Sequence, residues 1–431
     1  MHRESGAKTA VVPMVLIVCL FFLWGVANNL NDVLIPHFKK AFFLTDLQSG
    51  LVQSAFYLGY FLLAIPAGLV MRRFGYKAAV LAGLLLFGGG ALLFYPAAEV
   101  RQYGLFLVAL FVIASGLAFL ETSANPLITV LGDPATAERR LNFAQAFNPL
   151  GSITAVLLGR EFILSGIEPT ALEFASMSAQ QRAAFQASEA HAVQAPYLVI
   201  AAVVIGWALL VAISKFPAAA GRPTRASVET GKGASMRTLL RYPRFVFGVA
   251  AQFFYVGAQV GIWSYMIRYA QQEMPGLGEK AAAGYLTWSL VAFMIGRFVG
   301  TALMGRFSPV KLMGVFALIN MALTCIAVAA GGSTGLLALS ATSFFMSIMF
   351  PTIFANAIRD LGELTKPASS FLVMSIIGGA ILTAAMGLIS DQSSIRTAML
   401  VPLVCFAVVG AFGLTGRATA RDTNLAAVAQ P

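Results

Sequence analysis

Charge is what this chain has least of. Asp, Glu, Lys and Arg make up 11% of its 431 residues, and 58% are hydrophobic. Soluble domains carry about 25% charged residues, so a soluble globular fold is excluded. Histidine is nearly as scarce. His2, His37 and His191 fall in the N-terminal tail or in polar connections, and no nucleophile–base pair or metal-ligand spacing occurs inside the apolar runs. That argues against an enzyme and against a bound cofactor. Cysteine is limited to Cys19, Cys325 and Cys405, all within apolar runs and without disulfide or zinc spacing. Acidic residues are the rarer sign, 18 against 29 basic, for a net charge of +11.

What remains is a succession of long apolar runs, with a mean hydropathy of +0.80. A helix crossing a bilayer needs about 20 such residues. Twelve candidate spans can be drawn, near 11–36, 47–71, 77–97, 104–131, 141–164, 195–215, 244–268, 281–305, 310–331, 335–358, 367–390 and 397–416. The first is too long for a signal peptide and no small-residue cleavage site follows it. The expected fold is therefore an all-α membrane protein of twelve transmembrane helices in two six-helix halves.

The surplus of basic charge fits this topology better than it fits nucleic acid. With both termini in the cytoplasm, most Lys and Arg fall on cytoplasmic segments, as the positive-inside rule requires. The largest group is Lys215, Arg222, Arg225, Lys232, Arg237, Arg241 and Arg244. It includes the Gly-, Pro- and Ser-rich linker 217–242, which divides an N-terminal half, 1–216, from a C-terminal half, 243–431. A second polar stretch, 165–194, joins spans five and six on the outer side and permits a short surface helix.

The halves repeat a local pattern. Gly68 to Lys77 closes the second span and Gly300 to Lys311 closes the eighth. Aligned on Met71 and Met304, both read Met-x-Arg-Phe followed by Lys. Two related halves with matching loops describe a Major Facilitator Superfamily carrier. Gly68, Arg73, Gly75 and Lys77 fit that superfamily's motif after the second helix. Arg72 stands where its Asp usually does, and Tyr76 replaces an Arg. Arg72, Arg73 and Lys77 read equally well as plain topology determinants.

Polar residues inside the spans carry the chemistry. Asp32 and Glu121 are the acidic residues well inside apolar runs. A carboxylate at the centre of a span costs about 2.5–3.5 kcal/mol on insertion scales, and such groups often mark proton relays. Away from water a carboxyl group favours its neutral form, and rehydration favours release. Asp32 lies about 10 Å inside the outer interface if Lys39 and Lys40 mark it, and Glu121 lies close to the midplane, by the helical rise. Asp32 is expected to exchange protons from outside, and Glu121 to respond to substrate.

Helical spacing groups their neighbours. Trp24, Asn28 and Asp32 share a face with Asn29 beside it. Glu121 and Asn125 share another. Asn142, Gln145, Asn148 and Ser152 form a polar stripe, as do Gln252, Tyr255, Gln259 and Trp263. Stripes of this kind can glue helices at about 0.6–2 kcal/mol per hydrogen bond. Amides pair with hydroxyls and indole faces cover apolar surface, so the set also suits a sugar-binding cavity. Arg297 is the basic residue deep in a span; it could pair with a carboxylate, bind substrate or snorkel along Gly296 and Gly300.

The motifs resemble one family. Phe22-Leu23-Trp24-Gly25 with Asn28-Asn29-Leu30-Asn31-Asp32 is followed by the run from Ser49 to Tyr60. Then come Leu120 to Pro126, Gln145-Ala146-Phe147-Asn148, Val256 to Gln259 with Trp263-Ser264-Tyr265, and Pro351 to Phe354. In order and spacing these are similar to the L-fucose–proton symporter family of the Major Facilitator Superfamily, with its glucose/galactose transporter relatives. The match runs from about residue 20 to 415.

The resemblance implies proton-coupled import of L-fucose or a related monosaccharide by alternating access, with the proton as coupling ion and no cofactor. It implies proton coupling at Asp32 and Glu121, and sugar contacts at Trp24, Asn29, Gln145, Asn148, Gln259 and Trp263. It also implies a carrier working as a monomer, in contact with membrane lipid, in a bacterial inner membrane. Phe350 stands where the fucose carriers tend to have Tyr, and Pro149 where Ser is more usual, so the exact sugar stays open. A proton-coupled exporter of drugs or metabolites on the same fold is the alternative. It would prefer an apolar aromatic cavity, whereas both carboxylates and most amides lie in the N-terminal half. A non-transporting sugar receptor would not need the carboxylates.

Overall fold

A computed structural model of the chain describes residues 2–42, 46–131, 133–163, 176–216, 236–277 and 279–415. These residues are almost entirely helical, as an apolar environment demands: with no water to bond to, each peptide group must be satisfied within its own segment. In order the helices are α1 (His2–Phe42), α2 (Asp46–Phe74), α3 (Tyr76–Leu92), α4 (Phe94–Val100), α5 (Tyr103–Val130), α6 (Ala137–Gln145), α7 (Phe147–Phe162), α8 (Ala179–Ala192) and α9 (Gln194–Ile213). They continue with α10 (Pro243–Glu273), α11 (Glu279–Leu303), α12 (Pro309–Ala330), α13 (Gly332–Met346), α14 (Met349–Ala357), α15 (Thr365–Met374), α16 (Gly378–Gln392), α17 (Ile395–Ala398) and α18 (Leu400–Leu414).

Among the described residues, 11 stretches are long and apolar enough to cross a membrane. The expected span 141–164 is not one of them, being interrupted by the polar residues Asn142, Gln145 and Asn148; it is present as two consecutive helices, so that twelve spans remain consistent with the fold. α6 ends at Gln145, and α7, from Phe147, has only 16 residues. Pro149 follows just inside the new helix, where its missing N–H cannot bond back to Gln145. The polar stretch before the sixth span does hold a surface helix, α8. Its start is fixed by a capping box, with Ser178 Oγ accepting from the Gln181 N–H at 3.2 Å and Gln181 Oε1 accepting from the Ser178 N–H at 2.8 Å. Glu168 and Glu173 of that stretch lie outside the described residues.

The chain forms two compact units, one of residues 1–124 with 147–222 and one of 125–146 with 223–431. In the first, α1 lies along α7 and α3 along α9. The α1–α7 contact is close because both sides carry glycine. A Cβ on Gly25 would fall 2.0 Å from the Asn148 carbonyl oxygen, and one on Gly151 would fall 2.1 Å from that of Phe22. Small residues at such crossings let membrane helices meet backbone to backbone. Loop cations close helix ends here. Lys77, from the motif after the second span, donates to the carbonyls of Ala212 and Ser214, both at 2.8 Å, at the C-terminal end of α9.

In the second unit α12 lies between α13 and α18, α10 packs on α16, α18 and α14, and α11 on α13. α6 packs on α14 and α11. Arg140 closes the end of α5 through the carbonyls of Ile128 (3.3 Å) and Thr129 (2.9 Å). Arg396 does the same for α12 through Val328 and Ala329, with Glu273 3.8 Å away. The core of this unit is aromatic and aliphatic, with Tyr255, Tyr269, Phe406 and Phe412 fully buried.

Candidate functional site

In the first unit the expected site residues gather where α1, α2, α5 and α7 meet. Trp24 Nε1 donates to the Tyr60 hydroxyl at 2.8 Å. Asn28 faces the same hydroxyl, and Glu121 lies within electrostatic range of it. Glu121 is 2% exposed and makes no hydrogen bond or ion pair among the described residues. Asn28 Oδ1 and Thr122 Oγ1 are buried without a partner. The result is a buried carboxyl group within electrostatic range of a phenol that an indole and an amide also engage, with polar capacity left over. Tyr60 closes one of the family-like motifs, but on sequence alone nothing gives it a role in this cluster.

Asn29 and Asn148 are engaged in helix contacts. Asn29 Nδ2 donates to Gly25 O at 3.1 Å and to Ser152 Oγ at 2.6 Å, and Asn148 Nδ2 donates to Phe21 O at 3.2 Å. Both are half-buried, and their amide oxygens make none of these bonds. Trp24 stacks on Phe21 with ring centroids 5.7 Å apart. Asp32 lies within α1, but its side chain is outside what the structure describes.

The second unit holds the remaining site residues in two groups. Gln145 Nε2 donates to Asn125 Oδ1 at 3.0 Å, and Gln145 Oε1 accepts from Arg297 Nη1 at 3.2 Å. Asn142, one turn earlier, donates to Thr352 Oγ1 at 3.1 Å. Buried Glu138, at the start of α6, pairs with Arg359. The polar stripe of the fifth span is thus divided, with Asn142 and Gln145 in one unit and Asn148 and Ser152 in the other.

In the second group Trp263 Nε1 donates to Ser343 Oγ at 3.0 Å, and Ser343 is bonded to Ser289. Phe293 meets the Trp263 ring edge-on at 5.1 Å, which fixes the indole plane. Gln259 is half-buried and makes no hydrogen bond among the described residues. Gln252 and Tyr255, from the same stripe, are fully buried with unpaired polar atoms. An ordered indole beside an uncommitted amide can take a ligand with both hydroxyl groups and apolar C–H surface.

Residues 16–376 match the model of the Major Facilitator Superfamily. The chain is 49% identical to the L-fucose-proton symporter of Escherichia coli (strain K12) over 95% of its own length and 94% of the relative's. It is 37% identical to the glucose/galactose transporter of Brucella abortus biovar 1 (strain 9-941), covering 96% and 97%. Among solved structures it is similar to the E. coli fucose:proton symporter at 48% identity, with a TM-score of 0.88 over 95% of this chain and all of the other.

Proposed function

Because the chain belongs to the Major Facilitator Superfamily, we propose that it is a proton-coupled symporter importing L-fucose or a closely related monosaccharide by alternating access. It is an integral membrane transporter and not an enzyme; the proton is the coupling ion, and no cofactor takes part. The observation that carries the reading is Glu121, buried in an apolar bundle within electrostatic range of the Tyr60 hydroxyl that Trp24 and Asn28 engage. A structural hydrogen bond does not account for a carboxyl group placed there, whereas a cycle of protonation and release does. The relatives that match end to end are named as sugar transporters, which leaves the exporter alternative without support.

Proton coupling is assigned to Asp32 and Glu121, and sugar contacts to Trp24, Asn29, Gln145, Asn148, Gln259 and Trp263. The free amide capacity of Asn29, Asn148 and Gln259 and the fixed indole of Trp263 support this. The moving bodies are the covalent halves, 1–216 and 243–431, joined by the linker 217–242. The carrier works as a monomer in lipid, in a bacterial inner membrane, with both termini cytoplasmic.

Uptake into proteoliposomes tests the proposal. Labelled L-fucose, D-galactose and D-glucose are supplied with and without an inwardly directed proton gradient. At least one is expected to accumulate above its outside concentration only with the gradient. No gradient-driven accumulation of any of them would sink the symporter reading.

A further inference from the structure

Arg297 in α11 is 5% exposed, and no carboxylate pairs with it among the described residues. Its guanidinium is held by oxygens instead. Nε donates to Ser347 O at 2.9 Å, and Nη1 donates to Gln145 O at 2.9 Å and to Gln145 Oε1 at 3.2 Å. The two backbone acceptors have one origin. A helical carbonyl accepts from the N–H four residues on. Four residues beyond Gln145 is Pro149, and four beyond Ser347 is Pro351. Proline has no N–H, so both carbonyls are left without their helical donor.

The two prolines are placed alike. Each is the third residue of a new helix, α7 from Phe147 and α14 from Met349. Each freed carbonyl belongs to the end of the helix before, Gln145 being the last residue of α6 and Ser347 the C-cap of α13. Helix C-termini carry a partial negative charge that favours a cation. One guanidinium thus replaces two missing N–H groups and lies on two negative helix ends. Close approach makes this reachable: a Cβ on Gly296 would fall 2.2 Å from Phe344 O, so a larger residue beside Arg297 would push α11 off α13.

We propose that Arg297 is a positioning residue for Gln145: it clamps the two proline-made helix breaks together and sets the direction in which the Gln145 amide points. With Oε1 turned to Arg297 and Nε2 bonded to Asn125 Oδ1 at 3.0 Å, both ends of that amide are specified. A hydroxyl-bearing ligand then meets one remaining N–H and the remaining oxygen lone pair in a fixed orientation. The choice of ligand rests on the sugar-carrier reading, and the clamp rests on the hydrogen bonds alone.

Variants of the purified carrier separate the two parts. Arg297→Met leaves both carbonyls without a donor, and adding Pro149→Ala and Pro351→Ala returns two helical N–H groups. The Tm in detergent is expected to fall in Arg297→Met and to recover in the triple variant. L-fucose uptake reads the positioning. Arg297→Met is expected to raise KM roughly tenfold, the effect of losing one charged hydrogen bond, with Vmax changed much less. The triple variant keeps the raised KM, because nothing then holds Gln145 Oε1. Arg297→Lys keeps the charge but not the planar fork; it recovers Tm in part and KM hardly at all. A triple variant no more stable than Arg297→Met overturns the clamp, and an unchanged KM in a folded Arg297→Met overturns the positioning. A wild type that takes up none of the three sugars would sink the carrier reading, and the Tm comparison would still decide the clamp.

Discussion

Single side chains decide whether the first unit's cluster serves coupling or only packing, and Glu121 separates the two. If it carries the proton, Glu121→Gln keeps the shape and loses the charge cycle. Uphill sugar uptake and its rise with falling outside pH are then expected to vanish, while sugar–sugar counterflow survives. A Glu121→Gln carrier that still accumulates sugar against its gradient would remove Glu121 from coupling. Asp32→Asn is expected to behave likewise. Tyr60 makes a different prediction. Its hydroxyl accepts the Trp24 indole N–H, so Tyr60→Phe leaves that donor unpaired in the bundle at a cost of about 1–3 kcal/mol. The readouts are a lower Tm and weaker sugar binding; a variant with wild-type values of both would show that the bond is dispensable. The difference in legibility between the two residues is physical. An intramembrane carboxylate is expensive wherever it points, so Glu121 stands out in the sequence alone. A tyrosine among apolar residues costs little, and only its meeting with a tryptophan 36 residues away shows what it does.

Whole helices are legible where apolar length alone sets them, and their breaks are not. The span expected at 141–164 restarts at Phe147 after Gln145. Pro66 and Pro126, by contrast, sit inside the continuous helices α2 and α5. Hydrophobic pattern cannot tell a proline that bends a helix from one that restarts it. The carbonyl that Pro149 leaves free, that of Gln145, is taken by Arg297, over 150 residues away in sequence. The basic loop after α2 was readable as a topology signal, but its structural use, Lys77 closing the end of α9, required the fold. The α1–α7 contact offers a test at this scale. Gly25→Ala places a methyl group against the Asn148 carbonyl, so the helices must separate, at about 1–3 kcal/mol for overpacking. Because Asn29 and Asn148 are tied across the same contact, a lower Tm should come with a raised sugar KM. An unchanged Tm and KM would mean that the two helices do not meet at Gly25.

Alternating access makes a demand on the molecule as a whole that no single helix makes: some contacts between the covalent halves must form and break in every cycle. Residues 125–146 belong covalently to the N-terminal half, yet they pack with 223–431. Asn142 bonds to Thr352, Glu138 pairs with Arg359 and Gln145 bonds to Arg297. If the halves proposed above rock against each other, these are bonds that one of the two access states must lose. A covalent bridge at that place then stops the cycle without touching the carboxylates. In a carrier with Cys19, Cys325 and Cys405 replaced by serine or alanine, Asn142→Cys and Thr352→Cys put two thiols where side chains now meet at 3.1 Å. A short thiol-specific cross-linker is expected to abolish both net uptake and counterflow of L-fucose, and a cleavable linker should restore them on reduction. Each single-cysteine carrier treated with the same reagent gives the control for modification alone. Sugar binding separates blocked movement from a damaged site: it should persist from one side of the membrane in the bridged protein. Full transport through the bridged carrier would mean that residues 125–146 travel with the C-terminal half, and that the body that moves against it excludes them.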